Sequence, residues 1–191
     1  MSSAAFDTYL ILVWPDGRPV KEDDDSGGER NSFISLDALP SSGTYTVQAT
    51  AESAGGRGEY SLLVTAGCYT VKSISAGQTA GSLASVDCET PYRANSKAEL
   101  YLLNGRAGQQ VTITMSALSE SPNLDPFLIL IGPDGRKLTE DDDGGGGLSA
   151  RIGNYRLPSS GMYLIVATSA DAYNPKENKG TGKYNLSLSV N

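Results

Sequence analysis

The feature that most constrains this sequence is an internal repeat. Residues 6–45 align without a gap on residues 124–163 at a constant shift of 118. In that alignment FDTYLILVWPDGRPVKEDDDSGG lies over LDPFLILIGPDGRKLTEDDDGGG, and LPSSGTY lies over LPSSGMY. After a loop that is longer in the second copy, GEYSL from Gly58 matches GKYNL from Gly182. A match of this length and order indicates duplication of one folding unit.

The two copies differ at their front ends. Roughly fifty residues separate the end of the first copy from Leu124, whereas only five residues precede Phe6. We therefore predict two tandem domains: residues 1–66 form a first domain without its opening strands, and residues 67–191 form a complete second domain. A domain without those strands exposes an apolar sheet face and unpaired edges. We expect a homodimer through the first copy, or close packing of the first copy on the second.

The hydrophobic pattern of the second copy is that of a β-protein. Val111, Ile113 and Met115 alternate with polar residues, which predicts a strand with one buried face. Residues 126–132 form a continuous apolar run, typical of a strand buried on both faces, and a Pro-Asp-Gly turn follows them. We predict an all-β fold: an antiparallel β-sandwich, jelly-roll-like, with seven or eight short strands in the second copy and two tandem domains in the chain.

Composition excludes several functions. The chain has no histidine, which excludes Ser-His-Asp and Cys-His nucleophilic sites and HExxH zinc sites. Its net charge of −7 argues against binding to nucleic acid or to anionic membranes. Its longest strongly apolar run, Tyr9–Trp14, is far short of a membrane span and is no signal peptide, so an export signal would lie on a longer precursor. We predict a protein that is not an enzyme.

Two cysteines leave one question open. Cys68 and Cys88 are compatible with a single disulfide in an oxidising compartment, or with two free thiols. Twenty residues apart and without histidine, they make a poor zinc site.

The acidic runs Glu22–Asp25 and Glu140–Asp143 are the best candidate sites. Consecutive carboxylates repel one another, and calcium relieves this with six to eight oxygen ligands in irregular loop geometry. In an extended run alternate side chains face the same side, so we expect Asp141 and Asp143 to converge with Asp125 while Asp142 points away. The equivalent set in the first copy is Asp7, Asp23 and Asp25. The alternative is that all six are solvated turn acids, and the spacing is not that of an EF-hand.

The tyrosines fall into two groups. Four recur at matching positions in the two copies, which favours packing in the core: Tyr45, Tyr60, Tyr163 and Tyr184. Tyr101, Tyr155 and Tyr173 have no such match, and they are the candidates for a ligand-binding surface.

The order of these motifs resembles the bacterial pre-peptidase C-terminal domain family. In the second copy the resemblance rests on DPFLILIGPDG, EDDDGGGG, LPSSGMYLIVATS and GTGKYNLSLSV, preceded by ISAGQTAGSLAS and AELYLLNGRAGQQVTITMSA. It covers nearly all of residues 71–191 and, in shortened form, residues 6–64. The collagen-binding domains of clostridial collagenases are similar in fold and family, and some of these bind calcium.

The resemblance implies a β-sandwich attached to secreted bacterial hydrolases, especially metallo- and serine peptidases, and sometimes removed during maturation. We therefore expect a non-catalytic accessory module that binds an extracellular protein or polysaccharide polymer. A peptidase domain would lie on a longer precursor, and the location would be extracellular or periplasmic. Two alternatives stay open: a cleavable structural or maturation spacer, and a calcium-stabilised, lectin-like carbohydrate-binding module.

Overall fold

The computed structural model describes residues 1–36, 39, 41–64 and 71–191. In this part of the chain the regular elements are all β-strands, which confirms the all-β prediction. The described residues contain no helix with the length and apolar character needed to cross a bilayer.

The described residues of the second copy, 71–191, contain two sheets built from nine strands. The strands are β4 (Val71–Ser73), β5 (Gly77–Leu83), β6 (Glu99–Gly105), β7 (Gln110–Ala117), β8 (Pro126–Ile131), β9 (Lys137–Asp141), β10 (Ala150–Arg156), β11 (Gly161–Ser169) and β12 (Gly182–Val190). One sheet has the order β10-β7-β12-β5, and the other has the order β4-β6-β11-β8-β9. Nine strands exceed the seven or eight that we expected. One pair, β4 with β6, is parallel, because the chain crosses over between them instead of turning back in a hairpin.

The main core fills the space between these sheets, as in a β-sandwich. Val111, Ile113 and Met115 of β7 point into it, as their alternation predicts. Strand β8 is buried along its whole length, with Leu128 facing this core and Ile129 facing a second apolar cluster on the opposite side of the five-stranded sheet. The continuous apolar run is therefore explained by burial on both faces.

The first copy, as far as the structure describes it, contains one sheet of three strands in the order β2-β1-β3. Its strands are β1 (Thr8–Val13), β2 (Pro19–Asp23) and β3 (Thr46–Ala51). Their pairing repeats that of β8, β9 and β11 at the same shift of 118. Leu10 lies opposite Asp23 as Leu128 lies opposite Asp141, and the register shift falls at the same place in both pairs.

Among its described residues, the first copy has no counterpart of the four-stranded sheet. Residues 32–36 and 58–64 match parts of β10 and β12, yet neither stretch is a strand. In the second copy both strands pair with β7, and the part of the first copy that the structure describes includes no strand equivalent to β7. Met1 and Phe6 instead pack on Leu10, with Ile34 beside them, and cover one end of the three-stranded sheet.

The first copy also contacts the second. Phe33 packs against the apolar cluster on the outer face of the five-stranded sheet. The Asn104 side-chain amide donates to the Gly28 carbonyl at 3.2 Å, and Arg106 forms an ion pair with Glu29. The division into domains 1–66 and 67–191 stays a prediction.

The cysteines are described in part. Cys88 is disulfide-bonded, and Cys68 lies outside the described residues.

Candidate metal centres

Three aspartates of the second copy meet at one end of the five-stranded sheet. Asp125 immediately precedes β8, and Asp142 and Asp143 immediately follow β9. Because β8 and β9 are antiparallel neighbours, the start of one strand lies beside the end of the other. One carboxylate oxygen from each of the three residues lies within 4.8 Å of the other two.

The first copy repeats this arrangement. Asp7 immediately precedes β1, while Asp24 and Asp25 immediately follow β2. One carboxylate oxygen from each of these residues also lies within 4.8 Å of the other two. We name the two groups site one (Asp7, Asp24, Asp25) and site two (Asp125, Asp142, Asp143).

The alternation expected for the acidic runs is wrong. Asp142, expected to point away, lies in site two, whereas Asp141 and Asp23, expected to converge, lie in neither site. Asp141 turns away from site two, and its Oδ2 accepts hydrogen bonds from the backbone N–H groups of Gly144 at 2.9 Å and Arg151 at 2.6 Å. Asp23 does the same in the first copy, accepting from Ser26 at 3.1 Å and Phe33 at 2.7 Å. The strands end at Asp23 and Asp141, so alternation fails beyond them, and these two carboxylates brace the loops that carry the other acids.

Each site contains carboxylate oxygens that are buried without a hydrogen-bond partner among the described residues. In site one these are Oδ1 of Asp7 and Oδ1 of Asp24. In site two they are Oδ1 of Asp125 and Oδ1 of Asp142, at the equivalent positions. A buried, unpaired polar atom costs about 1–3 kcal/mol, and more when it is charged. The free-energy cost of burying two unpaired carboxylate oxygens therefore recurs in both copies.

The electrostatics of the sites favour neutralisation. Desolvation, followed by repulsion from Asp142 and Asp143, raises the pKa of Asp125 above its ordinary value. Desolvation and the charge of Asp143 likewise raise the pKa of Asp142. In site one, desolvation and the charges of Asp25 and Asp7 raise the pKa of Asp24. Each shift shows a carboxylate that is less stable as an anion than it is in water.

A cation distinguishes the two sites. The Arg93 guanidinium stacks over the Phe127 ring at 4.3 Å and donates through Nη2 to the Ala170 carbonyl at 2.6 Å. Its charge partly offsets the upward pKa shifts of Asp125 and Asp142. Arg93 belongs to the front half that the first copy lacks. A further carboxylate adds to the repulsion in both sites: Glu52 acts on Asp24, and Asp171 acts on Asp125 and Asp142.

Convergent carboxylates of this kind suit a hard divalent cation. Calcium prefers oxygen ligands and accepts backbone carbonyls from flexible loops, and glycines 144–147 follow Asp143 directly. Site one has Gly27 and Gly28 at the matching place. The donor sets consist of oxygen alone, which is unlike the sulfur and imidazole sets typical of zinc or copper.

The three candidate tyrosines do not share a surface. Tyr101 is fully buried in the main core, so its assignment to a ligand-binding surface is wrong: it lies on the inner face of β6 beside Leu103. Tyr155 is partly buried and packs against the same core. Tyr173 is half-buried in the wall of a surface cavity of about 440 Å³, and the Lys97 ammonium lies 5.2 Å from the centre of its ring.

Sequence reasoning missed the polar group that holds Tyr101. Oε2 of the buried Glu99 accepts hydrogen bonds from the hydroxyls of Tyr184 at 2.5 Å and Tyr101 at 3.0 Å. Oε1 pairs with the Lys72 ammonium at 3.0 Å. The group joins β6 of one sheet to β12 of the other, and burial raises the pKa of both tyrosines. The sequence signal for this polar group was Glu99, a charged residue at the start of the apolar run ELYLL.

No family model matches the chain, and no curated protein matches it. Among solved structures it is similar to the periplasmic g-type lysozyme inhibitor PliG of Aeromonas hydrophila, at 18% identity and a TM-score of 0.43, over 66% of this chain and 100% of that one. PliG of Salmonella Typhimurium is similar at 19% identity and a TM-score of 0.40, over 64% and 99% of the two chains. The pre-peptidase C-terminal domain of a Bacillus anthracis collagenase is similar at 14% identity and a TM-score of 0.44, over 66% and 100%. These identities and TM-scores are too low to carry an inference about function.

Proposed function

We propose that the chain is a non-catalytic β-sandwich module of a secreted bacterial hydrolase, and that sites one and two each bind a calcium ion. The observation that supports the proposal is the recurrence of two buried, unpartnered carboxylate oxygens at equivalent positions in both copies. Solvated turn acids would have their oxygens in water or paired with backbone N–H groups, as Asp23 and Asp141 do.

Calcium satisfies the chemistry of both sites. Each unpartnered oxygen gains a ligand bond in place of a lost hydrogen bond, and three carboxylates that repel one another gain a common counter-charge. Nearby glycine carbonyls and water would complete the coordination shell. The ion therefore stabilises the folded chain, and it fixes the loops that follow β2 and β9.

The role as an accessory binding module is supported by the disulfide and by the positions of the candidate tyrosines. A disulfide-bonded Cys88 fits an oxidising compartment outside the cytoplasm. A polysaccharide-binding face would present a row of exposed aromatic rings, and Tyr101 and Tyr155 do not lie in such a row. The partner class in this proposal is therefore an extracellular protein polymer, and a peptidase domain on a longer precursor would be the tethered enzyme.

Thermal unfolding tests the calcium sites. A ligand present at 100 times its Kd stabilises the folded state by about 2.7 kcal/mol. For a chain of this size that is a rise in Tm of roughly 5–10 °C for each site. We expect the Tm in millimolar calcium to exceed the Tm in EDTA by at least one such step. Asp7→Asn and Asp125→Asn should each remove part of the rise.

Asp134→Asn is the matched control. Asp134 is an exposed acid in the turn between β8 and β9, where it caps the Arg136 backbone N–H at 3.1 Å, and it is remote from the converging carboxylates. This variant should keep the whole calcium response. An equal Tm in calcium and EDTA for the unmodified chain would mean that the six aspartates of sites one and two are turn acids that bind no calcium.

A further inference from the structure

Strand β3 of the first copy has one unpaired edge. Its sister strand β11 is paired on both sides, with β6 and with β8. Among the described residues β3 pairs only with β1, so the N–H and C=O groups of its other edge have no strand partner. An edge of this kind is a template for another strand.

This edge has none of the usual protection against pairing. Its sequence, TVQATA, contains no charge and no proline, and its ladder with β1 has no bulge. The opposite edge of the same sheet, strand β2, carries Pro19, Lys21, Glu22 and Asp23 and contains a register shift. Charges, proline and bulges are the devices that keep edge strands apart. The residues of β3 are those of an interior strand.

The apolar face beside this edge is uncovered at Val47, although Met1 and Phe6 cover the other end of the same face, beside Ala49 and Ala51. Val47 is 39% exposed, whereas its equivalent in β11, Ile165, is 0% exposed. Leu39, Leu62 and Val64 are exposed too, and their equivalents in the second copy are core residues: Leu157, Leu186 and Leu188.

We propose that β3 is a dimerisation edge, and that its occupant is β3 of a second copy of this chain. Two antiparallel β3 strands related by a two-fold axis give a continuous sheet in the order β2-β1-β3-β3-β1-β2. The pairing continues the existing β1–β3 ladder outward by the same antiparallel geometry. A two-fold contact requires a self-complementary surface. The uncharged β3 edge meets that requirement, because it lets two chains of net charge −7 approach without like charges facing each other.

Symmetry limits the register. A two-fold axis perpendicular to the sheet keeps each face of the sheet on its own side, so opposite residues must have side chains on the same face. If most of the strand is paired, two registers are possible: either Gln48 lies opposite Gln48 of the second chain, or Ala49 lies opposite Ala49 of the second chain. In one register Gln48 faces Gln48 of the second chain, and in the other it faces Thr50 of the second chain.

Introducing positive charges on the β3 strand tests the proposal. In the double variant Gln48→Lys/Thr50→Lys, both registers bring lysines of the two chains together at the edge. Both positions are exposed, so the fold of each chain should persist, which circular dichroism checks. The control is Asn185→Lys/Ser189→Lys, which adds the same charge at exposed positions of the central strand β12.

Light scattering on the full chain at up to ~100 µM measures the outcome. We expect a dimer for the unmodified chain and for the control, and at least tenfold weaker association for the edge variant. A monomer at every concentration would overturn the proposal, and so would a dimer that the edge lysines leave intact. Measurement in calcium and in EDTA separates this result from the fate of the metal sites.

Discussion

The first and second copies share strand order and register, yet they differ in what their matching residues contact. Tyr184 is 0% exposed in the main core, and its equivalent Tyr60 is 52% exposed. The difference arises because Tyr184 lies on β12, a strand of the four-stranded sheet, whereas the matching residues 58–64 are not a strand, and the first copy has no such sheet among its described residues. The local sequence therefore determines where the strands shared by both copies form, whereas the burial of their side chains depends on strands distant in sequence.

Truncating this tyrosine in each copy should give the largest contrast. Tyr184→Ala removes a large buried ring, and such changes cost about 3–5 kcal/mol of unfolding free energy. Tyr60→Ala removes an exposed ring and should change the free energy of unfolding by less than about 0.5 kcal/mol. Urea unfolding of both variants measures the contrast. Equal costs would mean that Tyr60 is buried in solution, as it would be if a partner completed the first copy.

Removing only the hydroxyl sharpens the same comparison. Tyr184→Phe leaves Glu99 without its 2.5 Å hydrogen bond, and hydrogen bonds to a charged group are worth about 1.5–3 kcal/mol. Tyr60→Phe should have almost no effect on unfolding by urea. A neutral Tyr184→Phe would show that Glu99 is already satisfied by Lys72 and Tyr101.

The contrast between the metal sites should be smaller. Arg93→Gln removes a cation that acts on Asp125 and Asp142, so site two should bind calcium about fivefold more tightly, the equivalent of ~1 kcal/mol. Site one should not change. Calcium titration of Arg93→Gln in the Asp7→Asn background isolates site two, and weaker binding there would show that Arg93 positions the loop instead of opposing the ion.

The pH dependence in EDTA should give the smallest effect. The folded-state pKa of Asp125 is raised, so its contribution to stability is fully present below its unfolded-state pKa and is lost as pH rises through the folded-state pKa. Asp125→Asn should therefore raise the Tm in EDTA at neutral pH, and the gain should shrink as pH falls. Melting curves across that range test the sign, and a Tm lowered at neutral pH in EDTA would contradict it.

Much of the fold follows from local sequence. The alternation in β7 and the continuous apolar run in β8 predict their burial correctly, because each pattern depends on a single strand. The pairing of β4 with β6 and the exposure of Tyr60 depend on strands far apart in the chain, and no local pattern reports them.

The candidate sites were predicted in outline only. Asp125 was identified because it lies just before a predicted strand, and Asp7 because it is the equivalent of Asp125 in the repeat. The choice between Asp141 and Asp142 failed because it assumed that the strand continues past its last residue. The loop turns at Asp141, whose carboxylate accepts a hydrogen bond from the backbone N–H of Gly144. Hydrogen bonds in the loop, and not the alternation of side chains along a strand, therefore set which carboxylates converge.

Counting bound calcium tests the central claim most directly. Calorimetric titration of the metal-free chain should show two ions bound per chain, with one ion lost in Asp7→Asn, one lost in Asp125→Asn, and none lost in Asp134→Asn. Absence of binding at millimolar calcium, or binding that persists in an Asp7→Asn/Asp125→Asn double variant, would contradict the assignment of sites one and two.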